Sequence, residues 1–262
     1  MTNDSSRADA LTVALGEYDT GWHDPDKSLR NARELAESAR NAGADLLVLP
    51  EMCTTGFTMD AAQFSESDDG PSVRGLADIA SDNDLMIVAG LSMHREKRYV
   101  NCALAFGPDG SVVDIYEKQR LFGYARETEI YSAGAEPCVV KLGPLSVGLF
   151  VCFDLRFPEL FRQVGPRVDA MILIANWPST RHRHWEVLTQ ARAIENQCYF
   201  VGVNRIGDAN GLRYTGGSVI FDPWGERCDV AVAESSLRVG KLSASEVAKV
   251  RRSFPLPAPG SD

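Results

Sequence analysis

Apolar positions along the chain fall into short continuous runs separated by amphipathic stretches. Residues 11–18 alternate well enough for a first strand. Residues 26–42 carry Leu29, Ala32, Leu35, Ala36 and Ala39 at helical spacing, with charges between them and Gly43 as the stop. The run 45–49, DLLVL, predicts a strand covered on both faces. It stops at Pro50-Glu51, and the polar, irregular stretch 52–71 is long enough to suggest a functional loop. A helix over 73–81 and a strand over 85–93 follow, then a hairpin of 99–106 and 111–116 about the Pro108-Asp109-Gly110 turn. A second irregular stretch, 117–135, is rich in charge. Strands are predicted over 138–142, 147–151, 169–175, 198–203 and 218–221, with 222–226 a turn and 230–242 one or two strands. Helices are predicted from Pro158, over 184–197 with Leu188, Ala191 and Ile194 on its apolar face, and over 243–250.

This mixture of βα alternation and hairpins fits neither a TIM barrel nor a purely parallel open sheet. It predicts an α/β chain in which two sheets pack together with helices on their outer faces. No internal repeat or linker interrupts the pattern. The reading is a flexible N-terminus (1–10), one domain (11–254) and a Pro-rich tail (255–262).

Composition narrows the function classes. At 262 residues with 44% apolar and 24% charged side chains, the chain is neither disordered nor membranous. A net charge of −9 argues against nucleic acid as a partner, since phosphate binding needs a Lys/Arg-rich face. Six cysteines without CxxC spacing read as reduced thiols, predicting neither a disulfide scaffold nor a zinc ribbon. His182 and His184 form an HxH pair, but Arg181, Arg183 and Trp185 around them suggest a helix entrance more than metal ligands. There is no HExxH, Walker-type loop or GxGxxG. No basic-then-apolar leader and no apolar run of about 18 residues is visible, so neither export nor a membrane partner is expected and the location expected is cytoplasmic.

Three polar residues come at or just beyond the ends of predicted strands: Glu51, Lys118 and Cys152. In α/β folds such ends are where side chains converge on ligands. A thiol attacks as thiolate and needs a base or a nearby cation. A carboxylate can take its proton and return it to a leaving amine. An ammonium can favour the thiolate and, with the backbone N–H of Phe153, stabilise an oxyanion. On this reasoning Cys152 is the thiol expected to alkylate most readily. Each residue also has a bland reading: Glu51 as a loop cap, Lys118 as a solvated charge, Cys152 as a small core residue.

LPEMCTTGF (49–57), YEKQRLF (116–122) and CFDLRFPE (152–159) resemble the three signature blocks of the nitrilase superfamily, the carbon–nitrogen hydrolases. ANWP (175–178), HW (184–185), RAIENQ (192–197) and DPWGE (222–226) match further, in the family's order, over nearly the whole chain. The resemblance implies a four-layer α-β-β-α sandwich, homodimers or larger homo-oligomers, and no metal or organic cofactor. It implies Glu51 as general base, Lys118 as oxyanion stabiliser, Cys152 as nucleophile, and Glu127 rather than Glu129 as a second glutamate. Within the superfamily the TTGF, YSAG, ANWP and GVNRIG segments are most similar to bacterial omega-amidases. These hydrolyse the terminal amide of small acids of the 2-oxoglutaramate or 2-oxosuccinamate type, through a thioester. Such a substrate needs a cation at its remote end. Arg156 is the candidate, with pairing to Asp154 or Glu159 as the alternative. Phe57, Phe122 and Trp177 are candidate pocket walls. An amidase for deaminated glutathione or an N-carbamoyl compound would use the same trio. A true nitrilase, a papain-like Cys–His hydrolase and a non-catalytic binding protein fit less well.

Overall fold

A computed structural model describes residues 9–233 and 237–256. The first half runs β1 (Ala10–Leu15), α1 (Pro25–Asn41), β2 (Leu46–Val48), α2 (Ala61–Phe64), α3 (Pro71–Asn83), β3 (Met86–Arg95), β4 (Arg98–Phe106) and β5 (Val112–Glu117). The second half begins with α4 (Glu127–Ile130), β6 (Val139–Leu142), β7 (Leu145–Val151), α5 (Pro158–Val164), β8 (Ala170–Ala175), α6 (His182–Asn196) and β9 (Tyr199–Asn204). It ends with β10 (Ile206–Ala209), β11 (Leu212–Thr215), β12 (Val219–Phe221), β13 (Val230–Ala231), β14 (Arg238–Ser243) and α7 (Ala244–Ser253).

One sheet has the order β13-β14-β1-β2-β3-β4-β5 and the other β12-β9-β8-β7-β6. At the centre of each, three strands run parallel: β1, β2 and β3 in the first, β7, β8 and β9 in the second. Alternating side chains of these strands enter different cores. Leu46 and Val48 of β2 meet Val147, Leu149 and Val151 of β7 and Ile172 and Ile174 of β8 between the sheets. On the outer faces, Leu47 joins Ala32, Ala36, Leu76 and Ile79 of α1 and α3, while Met171 and Leu173 join Phe161 and Trp185 of α5 and α6. A strand side chain reverses face at every residue, so a run apolar on both faces must be covered twice. The result is the expected α-β-β-α layering, and it forces the residues that leave the parallel strands to emerge at one edge of the sandwich.

Local chemistry sets the boundaries. Asp24 caps α1 by accepting from Lys27 N, Pro25 occupies the first turn, and Gly43 leaves the helix at φ 76°. The stretch 52–71 is not structureless: it holds α2, and Glu66 accepts from Ser72 N and Oγ at 2.7 and 2.6 Å at the start of α3. Ala10 already pairs with Ser243, so the first strand starts inside the segment expected to be flexible. The remainder of that segment, residues 1–8, lies outside the described residues. So do 234–236 of the expected terminal strands and 257–262 of the expected tail.

Two expectations need correction. The buried face of α6 is Trp185, Thr189, Arg192, Ala193 and Asn196, whereas Ile194 is 49% exposed. The indole decides this: Trp185 lies over Gly202, where a Cβ would come within 3.0 Å of its ring, and its Nε1 donates to Gly217 O at 2.8 Å. Large aromatic area outweighs a regular aliphatic stripe. The hairpin β10–β11 was not expected at all, although Asn210-Gly211 at its tip, at φ 48° and 73°, is a strong two-residue turn signal. No helix of the described residues is long and apolar enough to cross a membrane.

Candidate active site

Glu51 leaves the end of β2, and its backbone crosses directly over Gly90 of β3. A Cβ on Gly90 would lie 2.5 Å from Glu51 Cα, so only glycine admits this crossing. Lys118 follows β5 with its N–H donating to Asn101 O at 2.8 Å and its carbonyl accepting from Gly134 N at 2.9 Å. Cys152 follows β7 at φ 47°, a left-handed backbone for a non-glycine residue. Such a conformation costs about 1–3 kcal/mol and persists only where its surroundings impose it. Asp154 supplies the restraint. Its Oδ2 accepts from Val151 N at 3.0 Å and from the Tyr116 hydroxyl at 2.8 Å, and its Oδ1 from Arg120 N at 2.9 Å. Tyr116 and Arg120 flank Lys118, so one buried carboxylate ties the cysteine turn to the lysine strand.

The side chains then converge. Lys118 Nζ donates to Glu51 Oε1 at 2.9 Å and to both oxygens of Glu127 at 2.9 Å. All three side chains are fully buried. Asn101 Nδ2 donates to Glu51 Oε1 and Glu127 Oε1 at 2.8 Å each, and Phe122 N donates to Glu127 Oε2 at 2.5 Å. Asn176 N donates to Glu51 Oε2 at 2.9 Å, and its side-chain amide donates to Glu51 O at 2.6 Å. The half-buried Cys152 places Sγ 4.0 Å from Asn176 O, beside Glu51. Glu129, by contrast, pairs with Arg126 at the surface.

Two carboxylates face one ammonium, leaving one negative charge in excess beside the thiol. Burial works to raise the pKa of Glu51, but Lys118, Asn101 and Asn176 outweigh it and hold the carboxyl below its ordinary value. Burial likewise opposes the charge on Lys118, and Glu127 and Glu51 together push its pKa well above the usual lysine range. Burial and then Glu51 push the Cys152 thiol well above its ordinary value, against the pull of Lys118. Lys118 thus favours the thiolate, as expected, but burial and Glu51 act more strongly the other way. Lys118 is already paired with both glutamates, and Glu51 lies beside the thiol where a base is needed.

Cys152 opens onto a cavity of about 220 Å³ lined by Phe57, Phe122, Phe153, Trp177, Leu212 and Tyr214, with Asn176 beside the thiol. Arg156 and Arg181 also line it. The Arg156 guanidinium lies 4.9 Å from the Trp177 ring and bonds His184 Nδ1 at 3.0 Å. It pairs with neither candidate brace, since Asp154 is engaged as above and Glu159 meets Arg120. Arg181 stacks 5.1 Å from the Phe122 ring. Neither arginine has a carboxylate partner among the described residues. Burial and the neighbouring Arg181 both lower the pKa of Arg156, as expected of a cation facing a like charge.

Glu51, Lys118, Glu127 and Cys152 thus meet in one cluster. Phe57 lies under Lys118 with its ring centroid 5.3 Å from Nζ, and Phe122, Phe153, Arg156 and Trp177 reach the same cavity. Sequence reasoning assigned no role to Asn101, Asn176, Arg181 or Tyr214. A polar residue inside the apolar strand YVNCALAF was the available signal for Asn101. Tyr214 and Leu212 were hidden with their hairpin. No group of three or more His, Cys, Asp or Glu side chains suited to a metal ion occurs among the described residues.

Comparison with known proteins shows the family and the fold. The chain is 36% identical to the omega-amidase YafV of Escherichia coli over 247 residues, covering 94% of each chain. It is 30% identical to the 2-oxoglutaramate amidase of Bacillus subtilis, covering 94% of this chain and 95% of that one. Among solved structures, a CN-hydrolase superfamily protein of Xanthomonas campestris with an arsenic adduct in its active site superposes with a TM-score of 0.89 at 33% identity. That alignment covers 97% of this chain and 98% of the other. Residues 12–252 match the carbon-nitrogen hydrolase family, and the protein belongs to that family.

Proposed function

We propose that this amidohydrolase cleaves the terminal carboxamide of a small acid of the 2-oxoglutaramate or 2-oxosuccinamate type, releasing the acid and ammonia. The observation that carries the reading is the buried Glu51–Lys118–Glu127 cluster beside the Cys152 thiol, at the floor of a cavity bearing two arginines without carboxylate partners. Cys152 is the nucleophile. Burial and Glu51 raise the thiol's pKa, and Glu51 takes the proton as Sγ attacks the amide carbon. Lys118 Nζ and the Phe153 N–H stabilise the oxyanion that forms. Glu51 then hands the proton to the leaving nitrogen, ammonia departs, and a thioester remains. Water attacks the thioester with Glu51 as base again, the C–S bond breaks, the acid leaves, and the Cys152 sulfur takes the proton back from Glu51. Glu127 holds Lys118 charged and aimed, and Asn101 spaces the two glutamates.

Substrate size and charge support the choice of amide. The cavity of about 220 Å³ is lined by aromatic rings with few polar groups, which suits a short acid. Arg156 and Arg181 suit the remote carboxylate, and the aromatic walls suit the methylene chain between. The names of the two relatives point the same way. The reading includes a cytoplasmic location and a homodimer or larger homo-oligomer, for which Val187, Ile194 and Trp224, exposed at 45%, 49% and 52%, offer apolar surface. It also keeps 11–254 as the hydrolase domain.

The test is ammonia release from 2-oxoglutaramate, succinamate, glutamine and an N-carbamoyl amino acid, by wild type beside Cys152→Ala. Fast release from the first two, absent in the variant, is the expected result. Activity confined to the carbamoyl compound would move the substrate assignment, and activity surviving in Cys152→Ala would overturn the mechanism.

A further inference from the structure

The hairpin β10–β11 belongs to neither large sheet, and Asn210, Leu212 and Tyr214 from it line the cavity opposite the helical walls. Tyr214 is 5% exposed. Its ring covers the guanidinium of Arg205 at 4.7 Å, within cation–π range. Arg205 is itself fully buried, held by Asp19 Oδ1 at 2.5 Å and by the carbonyl of Ile206 at 3.1 Å, with Nη1 unpaired. A buried cation is an unusual seat for an aromatic ring, and it fixes the ring plane.

The Tyr214 hydroxyl makes no hydrogen bond to any described residue. It is not among the buried unpaired atoms of the protein, so it stays accessible and free to bond a ligand in the cavity that Tyr214 lines. Burial pushes its pKa up to about 12, so the group remains an O–H donor across the working range. Other polar groups in and beside the cavity can meet the rest of an omega-amide. Lys118 and Cys152 face the carboxamide, and Arg156 and Arg181 face the remote carboxylate. One acceptor of a 2-oxo acid amide is left over, the uncharged keto oxygen, and a neutral donor suits it better than a third cation.

We infer that the Tyr214 hydroxyl donates a hydrogen bond to the 2-oxo oxygen of the substrate, making Tyr214 the residue that selects 2-oxo acid amides over plain dicarboxylate half-amides. This rests on the omega-amide reading above.

The experiment compares kcat/KM of wild type and Tyr214→Phe on 2-oxoglutaramate and on glutaramate, which has the same length without the oxo group. Phenylalanine keeps the ring on Arg205, and an unchanged thermal midpoint verifies the fold. The expected result is a wild type that prefers 2-oxoglutaramate, and a variant that loses about 10- to 100-fold on it, mainly in KM, while glutaramate changes by no more than about 2-fold. Equal losses on both substrates, or none on either, would overturn the assignment while leaving the omega-amidase reading intact. A wild type without preference for the oxo compound would overturn it as well. Ammonia release from neither compound would overturn the substrate reading beneath it. Calorimetric titration of 2-oxoglutarate and glutarate, the two products, into the unreacted enzymes gives a second readout. Tyr214→Phe should abolish any preference for the oxo acid there.

Discussion

Lys118→Met removes the one cation between two buried glutamates and keeps the volume of the side chain. Glu51 and Glu127 would then face each other across a site with no solvent, sharing only the amide of Asn101. Breaking a buried ion pair from one side costs about 3–5 kcal/mol, because the remaining charge is uncompensated. The pH dependence carries the sharper test. In the wild type the Glu51 carboxyl is held below its ordinary value. Its stabilising contribution is therefore complete above that value and is lost only as pH falls through the lowered one. In the variant the sign reverses: with a carboxylate adjacent and no lysine, burial carries the Glu51 carboxyl above its ordinary value. The penalty is full at alkaline pH and is relieved as pH falls toward about 4.3, the ordinary glutamate value. Asp154, pushed up to about 6 by burial against its hydrogen bonds and the pull of Lys118, moves further up when Lys118 is removed and so adds to the same narrowing of the gap on acidification. Urea unfolding at steps from pH 8 to pH 5 should show a gap of about 3–5 kcal/mol that narrows steadily on acidification. A gap that stays constant over that range would refute the charge-cluster argument, whatever its size.

Three further outcomes are expected. Glu51→Gln should lower kcat by about 10²–10⁴-fold with the fold retained, measured by ammonia release beside a thermal melt, since it removes the base but not the shape. Arg156→Lys and Arg181→Gln should each raise KM for dicarboxylate half-amides more than for neutral amides, and an equal effect on both would make the arginines structural. Iodoacetamide should modify Cys152 ahead of Cys53, Cys102 and Cys198, which are fully buried, and the rate should still be rising with pH above neutrality because burial and Glu51 raise the thiol above its ordinary value. A rate already at its plateau at pH 7 would show a resting thiolate and contradict the site's charge balance.

Much of the molecule was legible in the residue pattern. Doubly apolar runs such as DLLVL and VGLFV must be buried on both faces, so two helix-covered sheets follow from the side-chain period alone. Glu51, Lys118 and Cys152 were legible as polar side chains placed where such runs stop. Glu127 was legible only through resemblance, because nothing local distinguishes it from Glu129. The face of α6 was misread because a helical stripe counts aliphatic spacing and ignores how much one indole buries.

Other properties belong to the tertiary structure by their nature. Lys118 meets Glu51 across 67 positions and Asn176 meets Glu51 across 125, contacts that no local pattern encodes. The protonation of Cys152 is another such property. The cysteine and lysine types suggest a thiolate, but the pKa depends on how many charges surround the sulfur and how little water does. That balance is a sum over the packed site. The same holds for Tyr214, whose unpaired hydroxyl acquires meaning only once the hairpin has been folded against Arg205 and over the cavity. Residue types determined what chemistry the chain can attempt; distance and desolvation decided which groups hold the proton and which remain open to a substrate.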